Sequence, residues 1–270
     1  MKKIKVGIIG CGTIGNEIAR ACLGRLKDKV VLSALCDADR KKCETLKTSL
    51  KSKAPILSID GVVKSCDFVI EAASASISAG VLKKCIAKGK DCLVMSTGGL
   101  LAEPALLAQA GKKRVRVFVP SGAVCGVDGL KSAGVGGIDK VTLTTRKPPK
   151  GLAGAPYVLS QKIDLSSVVE DTVIFEGSAE DAVNGFPQNV NVAAVLSLAG
   201  IGARKTLVRI IATPGSGANI HEVEIVGESG RITTRSENVP SKANPKTSAL
   251  AVYSAIATLE GAVSPVRIGT

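Results

Sequence analysis

Two groups of residues in this chain have the types and spacing to do chemistry. The first is Gly10-Cys11-Gly12-Thr13-Ile14-Gly15, followed by Asp37. Glycine permits the tight turn at Gly10, a close backbone approach to a ligand at Gly12, and close helix–strand packing at Gly15. A helix opening there offers free N–H groups and the positive end of its dipole to phosphates. Asp37 stands 22 residues beyond Gly15, where a carboxylate bonds ribose hydroxyls. The implied chemistry is recognition of a nicotinamide dinucleotide, with Gly10, Gly12, Thr13, Ile14, Gly15 and Asp37 as contacts. Asp37 would repel a 2′-phosphate and so leans toward NAD. Arg40 and Lys41, just behind it, would receive that phosphate and keep NADP open.

The second is His221, the chain's only histidine. In the strand Asn219–Val226, alternation puts His221 on one face with Val223 and Ile225, and Glu222 and Glu224 on the other. An imidazole on a sheltered face is placed for proton transfer near neutral pH. The competing reading is a satisfied core histidine.

These residues need elements to position them. Ile4–Ile9 and Val30–Cys36 read as buried strands on either side of a helix from about Ile14 to Leu26. A helix over Asp39–Lys53 follows. Short strands are expected at Ile56–Ser58, Phe68–Glu71, Asp91–Met95 and Val115–Val119, with helices at Ser78–Lys88 and Glu103–Gly111 between them. Strands alternating with helices imply an α/β fold, a Rossmann-type doubly wound parallel sheet. The strand ends Glu71-Ala72-Ala73-Ser74, Met95-Ser96-Thr97-Gly98-Gly99 and Pro120-Ser121-Gly122-Ala123 lie where ligands bind in such sheets. Their small side chains leave room for a flat ring, which adds Ala73, Ser74, Thr97 and Ser121 to the expected cofactor contacts; ordinary turns are the alternative.

The pattern changes after about Ser121. Strands at Lys140–Arg146, Thr172–Phe175, Thr206–Ala212, Asn219–Val226 and Arg231–Arg235, with a helix at Asn189–Ala199, imply a smaller α+β domain with a mainly antiparallel sheet. A last helix, about Lys246–Gly261, is apolar on more than one face. The expected division is a dinucleotide domain over 1–121, a substrate and catalytic domain over 122–243, and a C-terminal helix over 244–270 that packs back on the first domain.

Composition narrows the class. Net charge is +13, yet the basic residues are scattered and aromatics make up only 2%. Base-stacking surfaces are therefore missing, and nucleic-acid binding is not expected. An anionic cofactor and substrate account for part of the charge. None of the eight cysteines forms a C-x-x-C pair, so no metal site is expected. Free thiols inside apolar runs, with no signal peptide and no run of about 20 apolar residues, point to a cytoplasmic chain with no membrane association.

Several further stretches carry a resemblance: Pro120-Ser121-Gly122-Ala123-Val124-Cys125-Gly126-Val127-Asp128-Gly129-Leu130, Thr144-Thr145-Arg146-Lys147-Pro148-Pro149, Asn184-Gly185-Phe186-Pro187-Gln188-Asn189-Val190-Asn191-Val192-Ala193 and Asn244-Pro245-Lys246-Thr247-Ser248. Together with the glycine loop, the chain resembles the L-aspartate dehydrogenase family over nearly its whole length; Gly151–Asp171 matches least well. The resemblance implies NAD- or NADP-dependent oxidation of L-aspartate to iminoaspartate, feeding de novo NAD synthesis, by a cytoplasmic homodimer. It places the catalytic histidine on His221 and further cofactor contacts on Ala123 and Asn189. Arg146, Lys147, Asn191 and Lys246 are the candidates for holding the substrate carboxylates. The same plan also resembles homoserine dehydrogenase and dihydrodipicolinate reductase, which would act on another substrate. A non-catalytic dinucleotide sensor is the remaining alternative.

Overall fold

The computed structural model describes residues 3–187, 190–241 and 244–270. Two compact units form, one from Met1–Pro120 with Ala251–Arg267, the other from Ser121–Leu250 with Ile268–Thr270.

In the first unit the chain runs β1 (Ile4–Ile9), α1 (Thr13–Leu23), β2 (Val30–Cys36), α2 (Arg40–Ser49), α3 (Ile59–Ser65), β3 (Phe68–Glu71), α4 (Ala75–Lys88), β4 (Asp91–Val94), α5 (Ala105–Lys112) and β5 (Val117–Phe118). The sheet order is β2-β1-β3-β4-β5, and every pairing is parallel. Parallel strands are covered on both faces and so read as continuous apolar runs; β3 is Phe-Val-Ile-Glu, buried throughout. The strand expected at Ile56–Ser58 shrinks to one parallel bridge between Ile56 and Leu35. That bridge still marks a further position outside β2, which completes the doubly wound order. α3 fills the interval between that bridge and β3.

The second unit contains α6 (Val127–Gly136), β6 (Ile138–Lys147), α7 (Pro156–Ser160), β7 (Thr172–Ser178), α8 (Ala179–Gly185), α9 (Val190–Ala199), β8 (Thr206–Ala212), β9 (Asn219–Gly227), β10 (Gly230–Asn238), β11 (Pro240–Ser241) and β12 (Asn244–Ser248). Its main sheet has the order β10-β9-β6-β8-β7. Only β6–β8 is parallel; the other neighbours are antiparallel. One face is apolar: Ala182, Phe186 and Ala193 from α8, its end and α9 meet Leu143, Thr145, Val208 and Ile210. The rings of Tyr157, Phe175 and Phe186 pack at 5.2–5.4 Å beside it. The opposite face carries Lys140, Thr142, Thr144, Glu176, Arg209, Glu222 and Glu224. Such a one-sided sheet suits the alternation of polar and apolar residues along its strands.

The last helix, α10 (Ala249–Ala262), starts after β12 rather than at Lys246. Its Ala255, Leu259 and Ala262 lie in the first unit's core with Ile8, Ile18, Leu26 and Leu35. Arg25 and Glu260 form an ion pair at 2.6 Å on the same side.

Candidate active site

The glycine loop follows β1 directly. Gly10 has φ +98° and its N–H donates to the Cys36 carbonyl at 2.8 Å. A Cβ on Gly10 would stand 2.4 Å from the Ala72 carbonyl oxygen, and one on Gly15 only 1.9 Å from that of Gly10. The protein's own backbone therefore demands glycine at both. Gly12 is different, because nothing lies within 4 Å of the position its Cβ would take. That glycine leaves open the space beside the start of α1. No side chain caps α1 and its first turn holds no acid, so the N–H groups of Thr13, Ile14 and Gly15 stay available to an anion.

Asp37, half-buried just past β2, organises this loop. Its Oδ2 accepts from the Cys11 N–H at 2.7 Å and its Oδ1 from the Asp39 N–H at 2.9 Å. Each oxygen keeps a further lone pair for a ribose hydroxyl. Arg40 is exposed and pairs with Glu44 at 3.0 Å, and Lys41 is exposed beside it.

The neighbouring strand ends are tied together by a residue that sequence reasoning passed over. Glu71, at the end of β3, is completely buried. Its Oε1 accepts from the N–H groups of Ala73 (2.8 Å) and Ser74 (3.1 Å) and from the Ser96 hydroxyl (2.9 Å); its Oε2 accepts from the Ser96 N–H (3.1 Å). Burial pushes its carboxyl pKa up, while these bonds favour the ionised form. Ala73 and Ser74 thus spend their amides on Glu71. The Ser74 hydroxyl is shared with Ser76 at 2.9 Å. Thr97 is buried and turns its hydroxyl to the Met95 carbonyl at 3.4 Å. The glycine loop, Asp37, Ala73, Ser74 and Thr97 all gather at the carboxyl edge of the parallel sheet. No pattern in the sequence announces Glu71; a carboxylate closing an otherwise apolar buried strand was the available signal.

In the second unit, His221 is 6% exposed. It sits directly opposite Thr145 of β6 and Ser236 of β10. Its Nδ1 lies 3.0 Å from the Thr145 hydroxyl. Burial, then the charge of Lys147, push its pKa down to about 4, so the ring is neutral at physiological pH. Burial pushes Lys147 down to about 8. Glu222 and Glu224 occupy the other face, as the alternation predicted, and pair there with Arg146, Arg235, Arg231 and Lys140.

Ala123 is buried beside this strand pair. Its carbonyl accepts from the Ser236 hydroxyl at 2.9 Å and from the Asn238 side-chain amide at 3.0 Å. Asn238 is in turn held by the Ser248 hydroxyl at 2.7 Å. Ser121 lies half-buried two residues before Ala123 in the same loop. The second unit therefore brings together His221, Thr145, Lys147 and the Ala123 loop. It does not bring Arg146, which is held at 2.6 Å by Asp171 and at 3.2 Å by Glu222 on the opposite face. Asn189 and the Lys246 side chain lie outside the described residues. Among the described residues, no group of three or more His, Cys, Asp or Glu could hold a metal ion, and no helix is long and apolar enough to cross a membrane.

Two family models match this chain. Residues 10–120 match the family model "Homoserine dehydrogenase, NAD binding domain", and residues 128–262 match "Aspartate dehydrogenase, C-terminal". An L-aspartate dehydrogenase of Methanosarcina mazei is 46% identical over 99% of this chain and 100% of its own. One from Bradyrhizobium diazoefficiens is 37% identical over 99% and 95%. The crystal structure of aspartate dehydrogenase from Thermotoga maritima is 28% identical, with a TM-score of 0.76 over 99% of this chain and 100% of that one. A scyllo-inositol dehydrogenase from Lactobacillus casei, crystallised with NAD(H) and scyllo-inositol, shares the fold at 16% identity and a TM-score of 0.58, covering 97% and 89%.

Proposed function

The chain belongs to the aspartate dehydrogenase family, and from that premise we propose that it oxidises L-aspartate to iminoaspartate with NAD or NADP. The observation that carries the reading is the buried, neutral His221 with Thr145 on its Nδ1, set in the half of the chain that matches the aspartate dehydrogenase model.

The residues of the first unit fit a dinucleotide. Gly12 leaves a cradle that a Cβ would fill, the uncapped N-terminal amides of α1 would hold the pyrophosphate, and Asp37 would take the ribose hydroxyls on the lone pair that each oxygen keeps. When bound, the nicotinamide supplies the hydride acceptor. The small residues Ala73 and Ser74, with the buried Thr97, form the floor of that edge.

Hydride can leave the α-carbon only when the substrate nitrogen carries a lone pair to stabilise the positive charge that develops. His221 acts as the base that takes the proton from the ammonium group. Thr145 holds Nδ1 and so leaves Nε2 for the substrate. A general base of this kind contributes about 10²–10⁴ in rate. The pKa of about 4 belongs to the protein without substrate; an anionic substrate beside the ring offsets the charge of Lys147 and moves it toward neutrality.

The reading extends to a cytoplasmic homodimer whose product enters NAD synthesis, and to cofactor contacts from Ser121, Ala123 and Asn189. One observation favours a rival substrate: the model matching residues 10–120 is that of homoserine dehydrogenase. Initial rates with aspartate, homoserine and alanine, each with NAD and NADP, decide between them. Aspartate should be oxidised at least tenfold more efficiently than either competitor. Equal or faster turnover of homoserine rejects the reading, and tight dinucleotide binding without turnover of any substrate makes the chain a sensor.

A further inference from the structure

Ser236, opposite the base in the sheet, belongs to a polar ladder along the edge strand β10. Side chains alternate along that strand, and its pairing with β9 sets Thr234 opposite Val223, Ser236 opposite His221 and Asn238 opposite Asn219. These three share the His221 face, while Arg235 pairs with Glu222 and Glu237 on the other. All three donate to carbonyls of one loop. The Thr234 hydroxyl reaches the Cys125 carbonyl at 3.0 Å. The Ser236 hydroxyl and the Asn238 side-chain amide both reach the Ala123 carbonyl, at 2.9 and 3.0 Å. The loop lies close enough to need glycine: a Cβ on Gly126, at φ +87°, would stand 2.8 Å from Thr234 Cγ2.

Asn238 anchors the ladder. It is 4% exposed, and both ends of its amide are bonded. A carbonyl can only accept, so the Ala123 oxygen fixes which end of the amide faces it. The other end, Oδ1, accepts from the Ser248 hydroxyl at 2.7 Å, and that hydroxyl accepts from the Leu250 N–H at 3.1 Å. A buried polar network with its bonds made holds its members in one arrangement. Ser236 links the same loop to the strand of the base, because its hydroxyl lies 3.4 Å from the His221 carbonyl as well as 2.9 Å from that of Ala123.

We propose that Asn238, with Ser236, is a positioning residue of the reaction: the two hold the Ala123 carbonyl, and so keep the dinucleotide contact of that loop in register with His221. The inference rests on the reading that Ala123 contacts the dinucleotide. Neither side chain needs to touch a reactant. Their work is to fix one peptide group beside the strand that carries the base.

The test uses the full-length protein as Asn238→Asp. The isosteric carboxylate keeps the acceptor for Ser248 but turns an oxygen toward the Ala123 carbonyl. NADH fluorescence titrations are run in alkaline and in mildly acidic buffer, with wild type alongside. Loss of the donor and repulsion between facing oxygens should raise the NADH Kd about tenfold over wild type at about pH 8.5. Burial favours the neutral form of the introduced carboxyl, so at about pH 6 it donates to the carbonyl again and the gap should close to about threefold or less. Ser236→Ala, at a half-buried position, removes the other donor to that carbonyl and should raise the Kd about two- to tenfold. Wild-type NADH affinity in Asn238→Asp overturns the inference, whatever its melting temperature. A loss equally large in both buffers also overturns it, since a merely structural defect would not recover on protonation. If Asn238→Asp does not fold, wild-type affinity in Ser236→Ala decides against the inference. The two readings fail separately. A wild-type protein that does not oxidise aspartate rejects the proposed function, whereas NADH titration of the variants still shows whether Asn238 and Ser236 hold a dinucleotide loop.

Discussion

The two glycines at the start of α1 should respond in opposite ways to one added methyl group. At Gly15 the new Cβ would stand 1.9 Å from the Gly10 carbonyl oxygen, against an ordinary contact of 3.4 Å or more. The obstacle is backbone, which cannot swing aside, so α1 or the loop must move. Overpacking of this kind costs about 1–3 kcal/mol, and Gly15→Ala belongs at the top of that range. For a chain of this size that is roughly 10 °C in melting temperature. At Gly12 nothing lies within 4 Å of the new Cβ, and φ −73°, ψ −160° is backbone that alanine adopts. Reduced unfolded-state freedom gains about 0.4–1 kcal/mol, and losing glycine at the helix cap returns a similar amount. Stability should therefore change by less than about 0.5 kcal/mol. The methyl does fill the approach to the helix amides, and losing one charge-assisted phosphate contact raises the dinucleotide Kd about 10- to 100-fold. Thermal melts without ligand, together with NADH fluorescence titrations, separate the two effects. Wild-type NADH affinity in Gly12→Ala would refute the assignment of the phosphate site. A wild-type melt for Gly15→Ala would refute the packing argument.

Three other outcomes are expected. His221→Asn should lower kcat at least 100-fold with dinucleotide affinity intact, and a loss smaller than tenfold excludes the base role. Glu71→Ala leaves three N–H donors and the Ser96 hydroxyl without their acceptor, the two from Ser96 buried and those of Ala73 and Ser74 part-buried, so it should lower stability by about 2–3 kcal/mol and weaken dinucleotide binding as the strand ends loosen; an unaltered melt with unaltered affinity rejects that role. The depressed His221 pKa, about 4 against 6.5, means that the unfolded chain binds the extra proton first as pH falls. Its contribution is complete above about pH 6.5 and is lost on descent to about pH 4, up to roughly 3 kcal/mol. Denaturant melts across that window should show a slope that His221→Asn flattens.

The first unit was readable because its function is written in backbone requirements. Gly10, Gly12 and Gly15 fall at fixed spacing after an apolar strand, and each spacing corresponds to one geometric need. Asp37 was legible for the same reason. Glu71 was less so, since its partners are backbone amides and a serine 25 residues away, and its one local signal is a carboxylate that closes an apolar run. In the second unit, period-2 alternation correctly put His221 among apolar side chains and Glu222 and Glu224 outside. It could not supply Thr145 or rank Lys147 above Arg146. That choice depends on the pairing of β6 with β9, a contact between residues 76 apart in sequence. A slip of one residue in that register would exchange Arg146 for Lys147 on the His221 face.

That dependence on register explains why the second sheet is built with such unequal faces. The polar face spreads its charges into ion pairs such as Arg146 with Asp171 and Glu222, all at least partly exposed, and exposed pairs add little to stability. Their value lies in specification. An out-of-register β6 would bury Arg146 among Leu143's neighbours and pull it from both carboxylates, an expensive arrangement. The ion pairs thus penalise the alternative in which His221 would face an arginine and lose Thr145. The apolar face meanwhile carries Lys147 near His221, each with its charged form disfavoured by burial. A sheet that keeps its ion pairs in water and shelters two groups with displaced pKa values, His221 and Lys147, on its other face has gathered the perturbed groups that mark a catalytic site.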